Sequence, residues 1–342
     1  MKQLNLKNVK LTNNGKQIDV DIKLEIPKTL YKFYALNDYN IKGVENGTIF
    51  FSPNNLLNDV LEGNFELLWD FSNLLGNEKV DLNFKAQLTS EINKYKKYIL
   101  RWRGIFSMSD DYKNELLWIH YTNEAGFCFE FDVEKLKNFF KINNGINHSY
   151  FFPISYHNPI TKIDFNEHII FSKNNNKEQI DALLPVMYCL AVKEAHWKYE
   201  KEWRLLINHE KFNYISDPSH ILSDESKKDE NNKTIGNVIE IDRDIITKVI
   251  LAPRFFNNNR FNKHELLEKD IEIFNFKNDI EGQNAYKLFK NLHKHYPSGI
   301  YQINKVANET FIQREITTKI EIIDISEHYL KIKKTNLNEA IL

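Results

Sequence analysis

The chain of 342 residues is long enough to form one large domain or two smaller ones with a substantial core. Its hydrophobic fraction of 42% and aromatic fraction of 13% are typical of a folded globular protein and argue against disorder. With 46 basic and 47 acidic side chains, the net charge is −1. The composition therefore lacks the excess of basic residues that is typical of proteins that bind duplex nucleic acid. No apolar run approaches a membrane span, and the polar N-terminus is unlike a signal peptide, so we expect a cytoplasmic protein.

The two cysteines, Cys128 and Cys189, stand in the apolar runs Gly-Phe-Cys-Phe and Met-Tyr-Cys-Leu. This setting predicts buried free thiols in a reducing compartment. The sequence contains no CxxC pair and no His/Cys spacing typical of structural zinc, so we expect no metal.

Short strands with interspersed helices dominate the predicted secondary structure. Alternation of apolar and polar residues predicts strands at 4–6, 20–26, 30–34, 48–52, 104–109, 126–132, 151–156, 199–207, 238–241, 246–251, 271–274, 300–306 and 311–323. Helical spacing predicts helices within 64–103 and at 115–121, 133–140, 180–195, 264–269 and 285–293. Because regular βαβ spacing is lacking, we expect an α+β fold with a mixed, mostly antiparallel central sheet of short strands and flanking helices.

The predicted elements also suggest a division of the chain into three segments. We expect an N-terminal β extension over residues 1–27 and a main α+β domain over residues 28–280. A C-terminal extension over residues 281–342 would hold a helix and a β-hairpin. The sequence leaves the oligomeric state open.

The segment 197–204, Trp-Lys-Tyr-Glu-Lys-Glu-Trp-Arg, is the densest mixture of charge and aromatic surface in the chain. If a strand begins near Tyr199, then Glu200, Glu202 and Arg204 share one face, because strand side chains repeat every second residue. One interpretation is a solvated strand face with ordinary ion pairs. The other is a functional site in which the aromatic side chains frame two carboxylates and a guanidinium.

Four motifs, taken in order, resemble the DUF2971 family of uncharacterised bacterial proteins. They are an aromatic strand with lysine (Tyr31-Lys32-Phe33-Tyr34), a Phe-Ser strand with an Asn-Asp loop (Ser52, Asn58, Asp59, Glu62), a Phe-Ser-Met-Ser strand leading into Trp-x-His-Tyr and Gly-Phe-Cys (Trp118, His120, Tyr121, Gly126, Phe127, Cys128), and the segment 197–204. The resemblance covers about residues 28–255. The sequence departs from the family pattern at Tyr34, where arginine is usual, and at Val60-Leu61, where Pro-Phe is usual.

The order of these motifs is similar to that of ADP-ribosyltransferases, and the similarity implies a set of roles. It implies NAD as a substrate, with Glu202 or Glu200 stabilising positive charge on the ribose and His120 acting as a base or binding phosphate. The remaining positions would bind the ligand: Lys32, Tyr34, Ser52, Asn58, Asp59, Trp118, Tyr121, Tyr199 and Arg204. Structural roles are the alternative, with His120 in the core, Arg204 paired to Glu202 and Ser52 capping a strand.

Three functions remain open at this point. The first is an effector that uses NAD or another nucleotide, such as an ADP-ribosyltransferase-like toxin or phage-defence protein. The second is a non-catalytic sensor or adaptor that binds a nucleotide or a partner protein through the same residues. The third is a metal-dependent nuclease that would use Asp59, Glu62, His120 and Glu202.

Overall fold

The computed structural model describes the chain except residues 16–17, 53–56, 58, 60–63, 73–85, 87–88, 91–103, 141–148, 175–176, 208–236, 257–259, 269, 308–312 and 338–342. The chain divides into two compact units. Unit A comprises Met1–Pro27, Phe50–Ser107 and Phe140–Ile239, and unit B comprises Lys28–Ile49, Met108–Phe139 and Glu240–Leu342. The first interruption of unit A falls at the predicted boundary between residues 27 and 28, while the three-segment division itself stays a prediction.

The helices and strands alternate irregularly along the sequence. The strands are β1 Lys2–Asn5, β2 Val9–Asn13, β3 Ile18–Ile22, β4 Thr29–Tyr34, β5 Thr48–Phe51, β6 Trp69–Asp70, β7 Ile105–Ser109, β8 Phe127–Asp132, β9 Ser149–Pro153, β10 Ser155–His157, β11 Ile163–Asp164, β12 Ile170–Asn174, β13 Lys177–Asp181, β14 Val192–Glu194, β15 Glu202–Ile207, β16 Asn237–Glu240, β17 Ile246–Leu251, β18 Phe261–Glu268, β19 Ile271–Phe276, β20 Ile300–Ala307, β21 Gln313–Ile325 and β22 Tyr329–Asn336. The α-helices are α1 Asp38–Asn46, α2 Phe65–Leu68, α3 Glu115–Thr122, α4 Val133–Phe139, α5 Phe165–His168, α6 Leu183–Ala191 and α7 Ile280–His295, and 3₁₀ helices span Ala195–Glu200 and Arg243–Ile245.

The core of unit A forms around α6, which is apolar on all sides and therefore buried. The Asp181 carboxylate accepts a hydrogen bond from the Leu183 amide at 2.9 Å, which satisfies one of the unpaired N–H groups of the first turn. Pro185 also lies in this turn, where a missing N–H breaks no helical hydrogen bond. Strands β1, β2 and β3 form an antiparallel sheet in this unit, and β1 and β2 contact α6.

The predicted helix over residues 180–195 is wrong at both ends. Residues 177–181 form β13, which pairs with β12, and the helix runs only from Leu183 to Ala191. Beyond it, β14 pairs in parallel with β10, and a 3₁₀ helix follows at once. The apolar spacing continues through this junction, so the sequence pattern alone does not mark the end of the helix.

Unit B is built on a sheet with the strand order β18-β19-β22-β21-β20-β17-β8-β4. Neighbouring strands are antiparallel except for β17 and β20, which pair in parallel. The mixed, mostly antiparallel α+β architecture is thus confirmed. Helix α1 packs against α7, and an ion pair of 3.0 Å joins Asp38 to Lys287 on their surfaces.

Two segments of unit B differ from the sequence prediction. The predicted helix at 264–269 is wrong, because residues 264–268 belong to β18. The His264 ring stacks on Phe274 of β19 with 4.5 Å between centroids, so pairing between strands outweighs the local helical spacing. Strand β22 was not predicted, although its buried residues Leu330 and Ile332 alternate with less buried ones.

The two cysteines are both free and buried, as predicted. Burial raises the pKa of the Cys128 thiol well above its ordinary value, which keeps it protonated and unreactive at neutral pH. Among the described residues, no helix is long and apolar enough to cross a membrane.

The glycine of the Gly-Phe-Cys motif is required by a close approach between two backbone segments of unit B. A Cβ atom at Gly126 would lie 2.1 Å from the Tyr34 carbonyl oxygen and 2.9 Å from the Thr122 Cβ. Neither contact is possible without moving the end of β4 away from the start of β8.

We therefore predict that Gly126→Ala lowers the free energy of unfolding by about 1–3 kcal/mol, the range of overpacking in a rigid site. Urea unfolding followed by circular dichroism measures this change. Gly43→Ala in α1 is the control, because its Cβ would meet the Thr48 oxygen at 3.2 Å and a helical site favours alanine. Equal stability of Gly126→Ala and wild type would contradict the prediction.

Candidate functional site

Four charged residues in and just before the segment 197–204 come together in unit A from three different elements. Lys193 lies on β14, Glu200 ends the 3₁₀ helix, and Glu202 and Arg204 lie on β15. Between them Lys201 adopts a left-handed conformation with φ of 45°, which reverses the chain after the 3₁₀ helix. The prediction that the strand begins near Tyr199 is therefore wrong, because β15 begins at Glu202.

The four charged side chains form a continuous ion-pair network. Arg204 binds Glu202 with both nitrogens of one edge, Nε to Oε1 at 2.7 Å and Nη2 to Oε2 at 3.2 Å. The Lys193 ammonium donates to Glu200 Oε2 at 2.6 Å and to Glu202 Oε2 at 3.3 Å. Two cations and two carboxylates thus balance each other, and the two-nitrogen geometry is one that arginine alone provides.

The network is sealed from solvent. The exposed fraction of the side chains is 0% for Arg204, 3% for Lys193 and at most 6% for the two carboxylates. Arg204 Nη1 also donates to the Leu190 carbonyl at 3.0 Å, and the Glu202 amide donates to the Tyr156 hydroxyl at 2.8 Å. Buried charges survive only when paired and hydrogen-bonded in this way, so the interpretation as a solvated strand face is wrong.

The surrounding charges determine the ionisation of Glu202. Burial by itself would raise the pKa of this carboxyl, but Arg204 and Lys193 lower it by more, and Ser107 adds a hydrogen bond. The net effect holds the pKa of Glu202 well below its ordinary value, so the carboxylate stays ionised at neutral pH. Burial also raises the pKa of the Tyr156 phenol, which remains protonated beside the two carboxylates.

The aromatic side chains of the segment have different roles. Trp203 is buried and stacks on Phe151 with 5.2 Å between ring centroids, so it belongs to the core. Trp197 and Tyr199 are only partly buried, and their ring centroids lie 6.0 Å apart. The Lys193 ammonium lies 4.7 Å from the centroid of Trp197, a cation–π contact. In the described part of the chain, the buried Trp197 Nε1–H has no hydrogen-bond acceptor.

Among the other predicted site residues, three lie in or next to the loop after β5 in unit A. Ser52 forms a backbone bridge with Ile105, with N–O distances of 2.7 and 3.0 Å, which fits the interpretation as a residue ending a strand. Asp59 is buried with 9% of its surface exposed. Asn58 lies outside the described residues.

The remaining predicted site residues belong to unit B. Lys32 and Tyr34 lie on β4, while Trp118, His120 and Tyr121 lie on α3. Trp118 is a core residue, because its ring packs edge-on against Phe33 at 4.8 Å and its Nε1 donates to the Tyr112 carbonyl at 2.7 Å. His120 and Tyr121 are exposed, so His120 is not a core histidine. That these residues share a site with Glu202 stays a prediction.

Sequence reasoning missed two members of the network, Lys193 and Tyr156. Lys193 lies within the predicted helix over residues 180–195, and no periodic pattern links it to Glu200 or Glu202 across the 3₁₀ helix. The one usable signal was a lone lysine after a long apolar run, since a lysine in such a setting needs a carboxylate partner. Within the described residues, no group of three or more His, Cys, Asp and Glu side chains could hold a metal ion.

Comparison with protein-family models supports the resemblance over part of the proposed range. The model of DUF2971, a family described as proteins of unknown function, matches residues 117–205. Over this region the chain is similar to the DUF2971 family, which supports the resemblance. The match includes the motifs from Trp118 to Cys128 and the whole segment 197–204, and it ends within β15. Searches of curated proteins and of solved structures gave no match.

Glu202 lies in the region that the DUF2971 model matches, and its buried ion pairs indicate a role in stabilising the fold. We predict that Glu202→Gln lowers the free energy of unfolding by about 3–5 kcal/mol, because it leaves Arg204 and Lys193 buried without full compensation. Urea unfolding measures the loss. Glu124→Gln is the control, since its partner Arg254 is 70% exposed and such pairs contribute only about 0–1 kcal/mol. A similar loss of unfolding free energy in Glu202→Gln and Glu124→Gln would contradict the stabilising role of Glu202.

The same ion pairs predict an acid dependence of stability. Because the folded pKa of Glu202 lies below the ordinary value of 4.5, its contribution is complete above that pH and is lost as the pH falls below it. We expect the stability difference between wild type and Glu202→Gln to be constant from pH 5 to pH 7 and to shrink in more acidic buffer. Unfolding curves at several pH values test this, and a difference that grows on acidification would contradict it.

Proposed function

We propose that this protein binds a nucleotide, with NAD as the first ligand to test, on the surface formed by Trp197 and Tyr199. One observation carries the proposal. The charged side chains of the network, Lys193, Glu200, Glu202 and Arg204, are buried and mutually paired, whereas these two aromatic rings beside them remain partly exposed. The arrangement supports a non-catalytic sensor or adaptor in which the ion pairs hold the aromatic surface in place.

Partly exposed aromatic rings suit a nucleobase. Stacking on an aromatic side chain contributes about 1–3 kcal/mol per base and depends little on which base is present. The Trp197 ring already lies against the Lys193 ammonium at 4.7 Å, so its position is fixed from the protein side. Its unpaired Nε1–H is a donor that a ligand carbonyl or phosphate would satisfy.

The ion pairs favour a supporting role for Glu202 over proton transfer. Both of its oxygens accept hydrogen bonds from Arg204, and one also accepts from Lys193. A general base must reach its substrate proton within hydrogen-bond distance, and Glu202 would have to leave these partners to do so. Glu200 is held by Lys193 and buried in the same way.

A second candidate function is an NAD-using transferase or glycohydrolase, and the ionised state of Glu202 is the observation that favours it. A carboxylate stabilises a developing oxocarbenium ion through its charge, without accepting a proton. The low pKa of Glu202 supplies this charge at all physiological pH values. Either function would suit an effector of the kind that bacteria use as toxins or in phage defence.

The test compares NAD binding and NAD turnover in wild type, Trp197→Phe and Tyr199→Phe. These variants leave all four charged side chains in place, so they separate ligand binding from the folding defect expected of Glu202→Gln. We expect wild type to bind NAD in calorimetry, and Trp197→Phe to bind about tenfold more weakly because it lacks one hydrogen-bond donor. Glu167→Gln is the control, since this exposed side chain lies on α5, a different element from the one that carries Trp197 and Tyr199.

Turnover decides between the two candidates. Nicotinamide released from NAD, measured by chromatography, would establish the transferase or glycohydrolase and exclude a pure sensor. Binding without release would establish the sensor or adaptor. If wild type binds neither NAD nor adenine or guanine nucleotides while remaining folded, the proposal is wrong.

A further inference from the structure

Helix α7 of unit B presents a basic face to solvent. Its buried residues lie on one side of the helix and include Leu288, Phe289 and Leu292, as expected of an amphipathic helix that packs on a core. The opposite side carries six exposed or partly exposed residues, three lysines and one histidine among them and no acidic side chain: Gln283, Tyr286, Lys287, Lys290, His293 and Lys294. We call these six residues the α7 basic face.

Ordinary structural roles account for only part of this charge. Lys287 pairs with Asp38 of α1 at 3.0 Å, but both side chains are at least half exposed, and such pairs contribute little to stability. His293 and Lys294 lie in the last turn, where cations interact favourably with the partial negative charge of the helix end. That effect is confined to the last turn, so it does not explain Lys287 or Lys290.

The charges next to the α7 basic face leave it positive. Helix α1 packs against α7 and exposes Asp38, Lys42 and Glu45. Glu281, the acidic residue of α7, lies outside the face and pairs with Arg260. With that pair set aside, the exposed sides of the two helices carry four lysines against two carboxylates. This excess is local, because the chain as a whole has a net charge of −1.

Tyr286 adds an aromatic ring to the same face. The ring is partly exposed and packs edge-on against Phe276 with 5.8 Å between centroids, so the protein holds it in place. The Lys290 ammonium lies 5.7 Å from the centroid of this ring, a cation–π contact. Tyr286, Lys290 and Lys294 follow one another at four-residue intervals, which places them in one row about 6 Å apart along the helix axis.

We propose that the α7 basic face binds single-stranded nucleic acid, with its lysines on the phosphates and Tyr286 stacked on a base. Proteins that bind single strands combine a positive surface with aromatic rings in this way. A lipid surface fits less well, because the apolar side of α7 is buried in the core and has no access to lipid. An acidic peptide would use the lysines but would leave the ring without a role.

This proposal does not rest on the nucleotide proposal. The α7 basic face belongs to unit B, whereas the ion-pair network and the surface of Trp197 and Tyr199 belong to unit A. Variants on α7 therefore test it separately.

The test measures the binding of a short fluorescent oligothymidylate by fluorescence anisotropy at several salt concentrations. We expect wild type to bind, and Lys290→Gln/Lys294→Gln to bind about tenfold more weakly in about 0.15 M salt. The slope of log K against log salt should become shallower by about 1.4, because each phosphate contact on a single strand contributes about 0.7.

Lys331→Gln/Lys333→Gln is the matched control. It removes two lysines from β22 of the same unit and changes the net charge of the chain by the same amount. Its affinity and its salt slope should equal those of wild type. Equal weakening by the two double variants would mean that net charge alone attracts the strand, and the proposal would be wrong.

Tyr286→Leu separates stacking from charge. Loss of one stacked base should weaken binding about tenfold and leave the salt slope unchanged, provided that circular dichroism shows the variant to be folded.

Three further results overturn the proposal. The first is a folded wild type that does not bind the oligonucleotide even in low salt. The second is binding of phosphatidylserine vesicles or polyglutamate without binding of the oligonucleotide, which would identify another class of partner. The third is oligonucleotide binding that Trp197→Phe weakens and Lys290→Gln/Lys294→Gln does not, which would place the strand on unit A.

Discussion

The pairing of Arg204 with Glu202 is the interaction on which unit A depends. Arg204 has no exposed surface, and a guanidinium in such a place is stable only if a carboxylate and a carbonyl satisfy it. Glu202 supplies the carboxylate, but a second buried carboxylate, Glu200, lies nearby. Lys193 donates hydrogen bonds to both carboxylates and supplies the second positive charge. Removing any one of these four charges would leave its partners buried without full compensation, so their contributions to stability depend on one another.

This dependence explains the shape of the chain around the network. Lys193 can reach the carboxylates only because the helix α6 ends at Ala191 and the chain continues as β14. Lys201 then takes a left-handed conformation, which places Glu200 and Glu202 on the same ammonium although they belong to different elements. A regular strand through this segment would also place the two carboxylates on one face, but it would not bring Lys193 between them.

The same comparison shows which features a sequence can predict. The strands β4, β8 and β17 of unit B were predictable from their apolar and aromatic residues, whereas β18 was predicted as a helix and β22 was missed. The need for glycine in the Gly-Phe-Cys motif depends on a backbone contact that only the fold reveals. The grouping of Glu200, Glu202 and Arg204 was also predictable from their spacing. Their burial was not, since a charged triplet in a sequence is far more often exposed than enclosed. Lys193 and Tyr156 were not predicted as members of the network, because tertiary contacts bring them there and no periodic pattern in the sequence marks them.

The hydrogen bonds of each polar group indicate whether it stabilises the fold or is available to contact a ligand. The residues that carry the most charge, Glu202 and Arg204, have bonds to protein groups at their charged atoms and are therefore suited to hold the fold together. Among the described residues, the buried side-chain atoms without a hydrogen-bond partner include those of neutral or weakly basic groups, such as the Trp197 indole and the His157 ring in unit A and the Tyr34 hydroxyl and the Asn284 amide in unit B. A group left unsatisfied in the folded chain gains free energy from a ligand, whereas a satisfied one must first lose a bond. In this chain, therefore, the most prominent charged motif stabilises the fold, and ligand contacts are better sought at the unpaired groups.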